Sequence, residues 1–169
     1  MNASSVTPPA RAPIGVVLML SLLLAGPVSA ELPSIEGSYQ LVSRQLADGT
    51  LIQSPTIMGV ITYTKTHRNS NILVVGAHGR RQSFSTVSAY TLTATEYSET
   101  LLFNIINDEG GGQPVTYDLS SRTQRSPVKA EGARVKFKPP FDPPEFVFQG
   151  ENLTATFPDG TTDLWKKLP

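Results

Sequence analysis

From Ile35 to Leu168 the chain is a succession of short runs rich in Thr, Val, Ile, Tyr and Phe, each ended within a few residues by Gly, Asn, Asp, Ser or Pro. No stretch carries the three-to-four-residue apolar spacing of an amphipathic helix. A chain patterned this way folds as strands joined by turns. Runs such as Ile35–Arg44, Met58–Thr66, Asn71–Ala77, Gln82–Leu92 and Tyr97–Ile106, followed by shorter ones up to Thr161–Leu168, amount to about nine or ten strands. Asp48-Gly49, Glu131-Gly132, Gly150-Glu151 and Asp159-Gly160 each place a glycine in a short turn. Tight turns favour pairing between consecutive strands, which makes an antiparallel meander. An open meander exposes two edges and one apolar face, and closing it into a barrel removes both problems. The expected fold is therefore all-β, a single antiparallel meander closed into a barrel of about eight to ten strands, which holds a side-chain core or one small ligand. Pro139-Pro140-Phe141-Asp142-Pro143-Pro144 reads as a stiff connector or strap, because proline donates nothing to a ladder.

The first thirty residues follow a different pattern. They carry one charged side chain, Arg11, then the apolar run Ile14–Gly26, then Pro27 and the small residues Val28-Ser29-Ala30. This is the layout of a secretory signal peptide. The 13-residue apolar run is shorter than the roughly 20 residues that cross a bilayer as a helix. Residues 1–30 are thus expected to be removed, leaving 31–169 as one exported domain, periplasmic or secreted, with no membrane span. The chain has no cysteine, so disulfides, thiol chemistry, cysteine-based zinc sites and a cysteine-linked lipid anchor are all excluded. Stability has to come from packing and strand pairing. Fourteen Lys and Arg balance fourteen Asp and Glu, which argues against a nucleic-acid partner held by phosphate neutralisation.

Alternation along the strands predicts which side chains face inward. Ile35, Gly37, Tyr39 and Leu41 share a face, as do Phe84, Thr86, Ser88, Tyr90 and Leu92, and Tyr97, Glu99, Leu101, Phe103 and Ile105. With Tyr117, Phe137, Phe148 and Phe157 these give an interior rich in aromatics, several of them tyrosines. A buried tyrosine hydroxyl needs a partner, which is either a polar ligand or water in a cavity, or else a backbone carbonyl at a barrel end. The expected ligand wall is Tyr39, Tyr63, Phe84, Tyr90, Tyr97, Glu99, Phe103 and Tyr117. Glu99 is the acid whose parity sets it on an apolar face, where burial raises its pKa and suits it to acid–base work or to holding a ligand hydroxyl. His67 and Arg68 read as the end of a strand, either a rim that clamps an anion through the planar guanidinium or an ordinary solvated hairpin tip.

No other chemistry stands out. His67 and His78 lack HxH or HExxH spacing, so no metal site is expected. Gly110-Gly111-Gly112 is followed by Gln-Pro rather than by Lys-Ser/Thr and a helix, so it reads as a loop and not a phosphate cradle. No Gly-x-Ser-x-Gly elbow occurs, and no cofactor is expected. Arg122–Lys138 holds six bases and one acid, whereas Glu96–Glu109 holds four acids and no base. These are either a basic wall for an anionic partner or two solvated faces that compensate each other.

Three segments resemble bacterial and fungal lipocalin-like domain proteins. Ile35-Glu36-Gly37-Ser38-Tyr39-Gln40-Leu41-Val42-Ser43 is similar to that family's opening Gly-x-Trp-x-Leu-Val-Ser strand, with Tyr39 where the family has Trp. Met58-Gly59-Val60-Ile61-Thr62-Tyr63-Thr64 resembles its Gly-x-Leu-x-Tyr-Thr strand, and Asp163-Leu164-Trp165-Lys166-Lys167 its closing strand. The resemblance implies a lipocalin-like barrel that binds a small apolar or amphipathic molecule, and it carries over no catalytic residue. The leading expectation is an exported, ligand-binding barrel. The alternatives are a filled barrel with an interaction or structural role in the envelope, and a small-barrel isomerase or cyclase using Glu99 as its acid/base.

Overall fold

The computed structural model describes residues 1, 32–109 and 115–169. The signal-peptide expectation for 1–30 (Met1 aside) and the Gly110–Gly112 loop lie outside the described residues. Twelve strands form one antiparallel sheet: β1 Gly37–Gln45, β2 Leu51–Ile52, β3 Ile57–Tyr63, β4 His67–Val75, β5 Arg81–Leu92 and β6 Glu96–Asp108, then β7 Thr116–Asp118, β8 Thr123–Glu131, β9 Arg134–Phe137, β10 Glu145–Gln149, β11 Asn152–Thr156 and β12 Thr162–Lys167. Ten of them run in chain order around a ring, and β12 pairs back onto β1 to close it. The short β2 and β7 lie off the ring, against β1 and β6. The meander and its closure into a barrel are as the turn spacing predicts. At the β8–β9 and β10–β11 hairpins, Gly132 (φ 56°) and Gly150 (φ 59°) occupy the left-handed region that tight turns require.

The sequence motifs at the two chain ends meet across the seam. Trp165 of β12 pairs with Leu41 of β1, and its ring extends inside the barrel to β3. There it lies on the backbone of Gly59, where a Cβ would come within 2.9 Å of the indole. A side chain at position 59 would therefore force the indole or the strand to shift.

The interior is divided along the barrel axis. One end is filled by Tyr39, Tyr63, Tyr90, Tyr97, Phe137 and Phe148, joined ring to ring with centroids 4.3–5.6 Å apart. Such edge-to-face and stacked contacts each contribute about 0.5–1.5 kcal/mol beyond the area they bury. At the other end the wall is uneven. β5 and β6 are 12 and 13 residues long, whereas β9 and β10 have 4 and 5. The strap between β9 and β10 covers that shorter side, with Pro139 and Pro144 buried.

Two strand assignments differ from the sequence reading. The polar residues before Ser126-Pro127, which carry no strand pattern of their own, begin β8, and β8 pairs with the first residues of β6. The segment His67–Ser70 is not a turn but the start of β4. The β3–β4 turn closes one step earlier, at Thr64–His67, where the Thr64 hydroxyl accepts from the His67 N–H at 3.0 Å and the Thr64 N–H donates to the His67 carbonyl at 2.9 Å. His67 is exposed beside this turn, whereas Arg68, one residue further, points inward and is 1 % exposed. A rim of His67 with Arg68 is therefore not formed.

Candidate functional site

Above the aromatic plug the barrel holds a cavity of about 320 Å³. This is the lower end of the range for small-molecule sites, and the space of about ten waters. β4 and β5 contribute to it by plain alternation. β4 places Ser70, Ile72 and Val74 on the wall and β5 places Phe84 and Thr86, as parity predicts for the two β5 residues. On β6 the alternation breaks. Val87 pairs with Phe103 but Ser88 pairs with Leu101, so Leu102 bulges out of register. Before the bulge Tyr97, Glu99 and Leu101 face inward; after it Asn104 and Ile106 do. Phe103 and Ile105, expected inside, are carried to the outer face by that one extra residue. Tyr117, also expected inside, is 63 % exposed, because β7 pairs only with the edge of β6 and lies off the ring.

Of the expected ligand wall, Phe84 alone reaches the cavity. Tyr39, Tyr63, Tyr90 and Tyr97 are buried in the plug instead. Tyr39 and Tyr90 satisfy their hydroxyls on backbone, donating to the Ile35 carbonyl at 3.1 Å and to the Thr64 carbonyl at 2.5 Å. The Tyr63 and Tyr97 hydroxyls are buried without a partner among the described residues. Burial raises all four phenols, Tyr90 to about 12, so each remains a neutral O–H donor.

Between plug and cavity sits a charge cluster. Arg68 of β4 donates from Nη1 to Glu99 Oε1 at 3.1 Å and from Nη2 to Asp142 of the strap. Its guanidinium carbon lies 5.5 Å from the Phe146 ring centre and 6.0 Å from that of Tyr63. Arg68 and Glu99 are fully buried, and the side chain of Asp142 is 19 % exposed. Burial pushes the Glu99 carboxyl above the usual carboxylate range, with Arg68 pulling the other way. Burial would also weaken the charge on Arg68, but Asp142, Tyr63 and Glu99 more than offset it, and the guanidinium stays ionised. Arg68 Nε joins the two tyrosine hydroxyls as a buried polar atom without a partner among the described residues, and the Ser88 hydroxyl stands beside the Glu99 carboxyl and pulls its pKa down.

The cavity's own polar groups are sparse. Thr86 Oγ1 donates to Asn104 Oδ1 at 2.9 Å. Arg44 and Asp163 form a two-pronged pair at 2.6 and 2.7 Å. Trp165 lines the wall, and its Nε1 is buried without an acceptor among the described residues. Asp142 is the one member of the Arg68 triad that lines the cavity.

Glu99 is buried as its parity predicts. Sequence reasoning singles out Arg68 and the strap but misses that Arg68 is buried inside the barrel and that Asp142 of the strap reaches it. Prolines mark the strap as stiff but say nothing of where Asp142 reaches. Arg68 was hidden by its neighbours: His-Arg-Asn-Ser reads as a turn, although Arg68, Ser70, Ile72 and Val74 already alternate correctly for an inward face.

No protein-family model matches the chain, and no curated protein or solved structure does either.

Proposed function

We propose that the protein is an exported binding barrel of the lipocalin-like kind, which carries a small, partly apolar molecule between the aromatic plug and the Pro139–Pro144 strap. The observation that carries this reading is the 320 Å³ cavity, apolar on most of its wall with a few polar groups set into it, Arg44 with Asp163, Thr86 with Asn104, and Asp142. An apolar space enclosed by strands is the feature in which a carrier differs from a barrel packed solid. The packed half accounts for why the barrel is stable without disulfides, and the open half is left to the ligand. Export rests on the charge and hydropathy layout of residues 1–30. Glu99 stands behind Arg68 and Asp142 and is not part of the cavity wall, so ligand contact falls to the residues above it.

Native mass spectrometry of protein purified from its own host tests the reading directly. A bound small molecule is expected, released on denaturation. Trp165 is the chain's single tryptophan and lines the cavity, so its emission is expected to shift when that molecule is stripped and restored. Protein that carries no small molecule, and whose tryptophan emission no apolar compound alters, would show the cavity to be structural only.

A further inference from the structure

Among the described residues the strap makes one ion pair to the barrel interior, through the Asp142 carboxylate, beside the apolar packing of its prolines and Phe141. Residues 138–144 belong to no strand, and four of them are prolines with no N–H to give. Among the described residues the strap's backbone is tied by a single hydrogen bond within itself, from the Asp142 N–H to the Pro139 carbonyl at 3.2 Å. Phe141 lies under the Arg122 guanidinium at 5.0 Å. Phe141, Pro143 and Pro144 line the cavity beside Asp142, and Asp142 is the strap residue that makes an ion pair inside the barrel, with Arg68.

The two carboxylates on Arg68 differ in kind. Glu99 belongs to the ladder of β6, paired with Tyr90 on one side and Gln124 on the other, and cannot leave without breaking the sheet. Asp142 sits on the unpaired strap and is partly exposed. Its side chain borders the cavity while Arg68 and Glu99 do not. Arg68 is the next inward residue of β4 after Ser70, which does line the cavity. Asp142 thus stands between the cavity and a buried cation whose Nε has no partner among the described residues.

From this arrangement, and resting on the binding function proposed above, we infer that the ligand is an amphipathic monocarboxylate. Its apolar part lies along Ile72, Val74 and Phe84, and its carboxylate takes the place of Asp142 on Arg68. Exchanging one carboxylate for another conserves the charge of the cluster and the fork geometry that guanidinium offers an anion. An alcohol of the same length leaves the buried guanidinium with one carboxylate fewer. Asp142 is then an internal competitor that holds the strap shut in the empty protein, and ligand entry releases it.

Isothermal titration of the purified protein with octanoate and with 1-octanol tests the inference. Asp142→Asn keeps the shape of the side chain and removes the competing charge, and it is expected to tighten octanoate by about tenfold or more while leaving 1-octanol unchanged. Arg68→Met combined with Asp142→Asn is expected to reduce octanoate to no better than 1-octanol. Should this double variant not fold, Asp142→Asn alone decides. If octanoate and 1-octanol bind alike in both the unaltered protein and Asp142→Asn, the cavity still binds ligands but the carboxylate anchor is overturned. If neither compound binds any form, the binding function falls together with the anchor.

Discussion

Glu99 is a carboxyl group in a place where its charge is costly. It is fully buried, faces Arg68 from β4, Asp142 from the strap, Tyr63 from β3 and its own strand's Tyr97, and its carboxyl is raised by burial. A raised pKa in the folded state means that the native protein keeps a proton which the unfolded chain has already lost. Between the unfolded value of about 4.3 and the raised native one, stability therefore falls as pH increases. Asp108 and Asp118 act in the opposite sense. Hydrogen bonds, from Arg80 to Asp108 and from Ser120 to Asp118, hold their carboxyls low, so their contribution is lost as pH drops towards acid. The difference between the unaltered protein and Glu99→Gln isolates Glu99 from these. Urea unfolding from pH 4.5 to 7.5 should show the unaltered protein losing stability relative to Glu99→Gln as pH rises. A constant difference over that range would mean that Glu99 is not perturbed in the fold. Parity alone makes Glu99 legible in the sequence, because its own strand is apolar on either side at Tyr97 and Leu101. Arg68 was legible as an anion-binding residue but its burial was not, because a buried cation is rare and polar neighbours at alternate positions make an inward-facing strand look like a turn.

At the scale of elements the closing seam is the informative case. β1 and β12 meet with a register shift between Leu41 and Ser43, and next to it Arg44 of β1 holds Asp163 of β12 through two hydrogen bonds. Asp163 is 1 % exposed and Arg44 19 %. Arg44 also lies over the Phe157 ring at 5.0 Å, beyond the end of β11. The pair thus ties the first strand to the last two at the open end of the barrel. Removing one partner of such a pair strands the other charge out of water. Arg44→Ala is expected to cost about 2–3 kcal/mol, at or below the lower end for a fully buried pair because Arg44 retains some solvent. Arg44→Lys should recover only part of this, since an ammonium cannot replace the fork. In a double-mutant cycle with Asp163→Asn the two changes should be coupled; strict additivity would mean that the seam is closed by backbone pairing alone. Strand order and turn positions were legible here, because glycine at the hairpins and alternation along the strands are local signals. The bulge at Leu102 was not, because nothing in Leu101-Leu102-Phe103 distinguishes the extra residue from its neighbours. A single unseen residue moved Phe103 and Ile105 to the outside and brought Asn104 and Ile106 to the cavity.

The whole molecule balances a packed half against a hollow one. Six aromatic rings close one end, while a cavity of about 320 Å³ occupies the other. Sequence composition could not separate these, since both ends draw on the same alternating apolar residues; what separates them is strand length, which shortens from 13 residues in β6 to 4 in β9 and leaves the strap to finish the wall. Ala155 marks the boundary. It is 2 % exposed, lies on the inner face of β11 opposite Phe146 and Asp163, and lines the cavity. Its methyl group is small where the neighbouring inward positions carry large side chains. If the cavity were a packing shortfall, enlarging this side chain would only strengthen the fold; if the cavity is the binding site, the same change must also abolish binding. Ala155→Phe places a ring in the space, and filling an internal void commonly contributes about 0.5–2 kcal/mol where no clash results. The expected outcome is a urea midpoint equal to or above that of the unaltered protein, together with at least about a tenfold loss of affinity for both octanoate and 1-octanol. Unchanged affinity in a variant that still folds would place the ligand elsewhere on the molecule, and a lowered midpoint with unchanged affinity would show that the ring is not accommodated in the cavity at all.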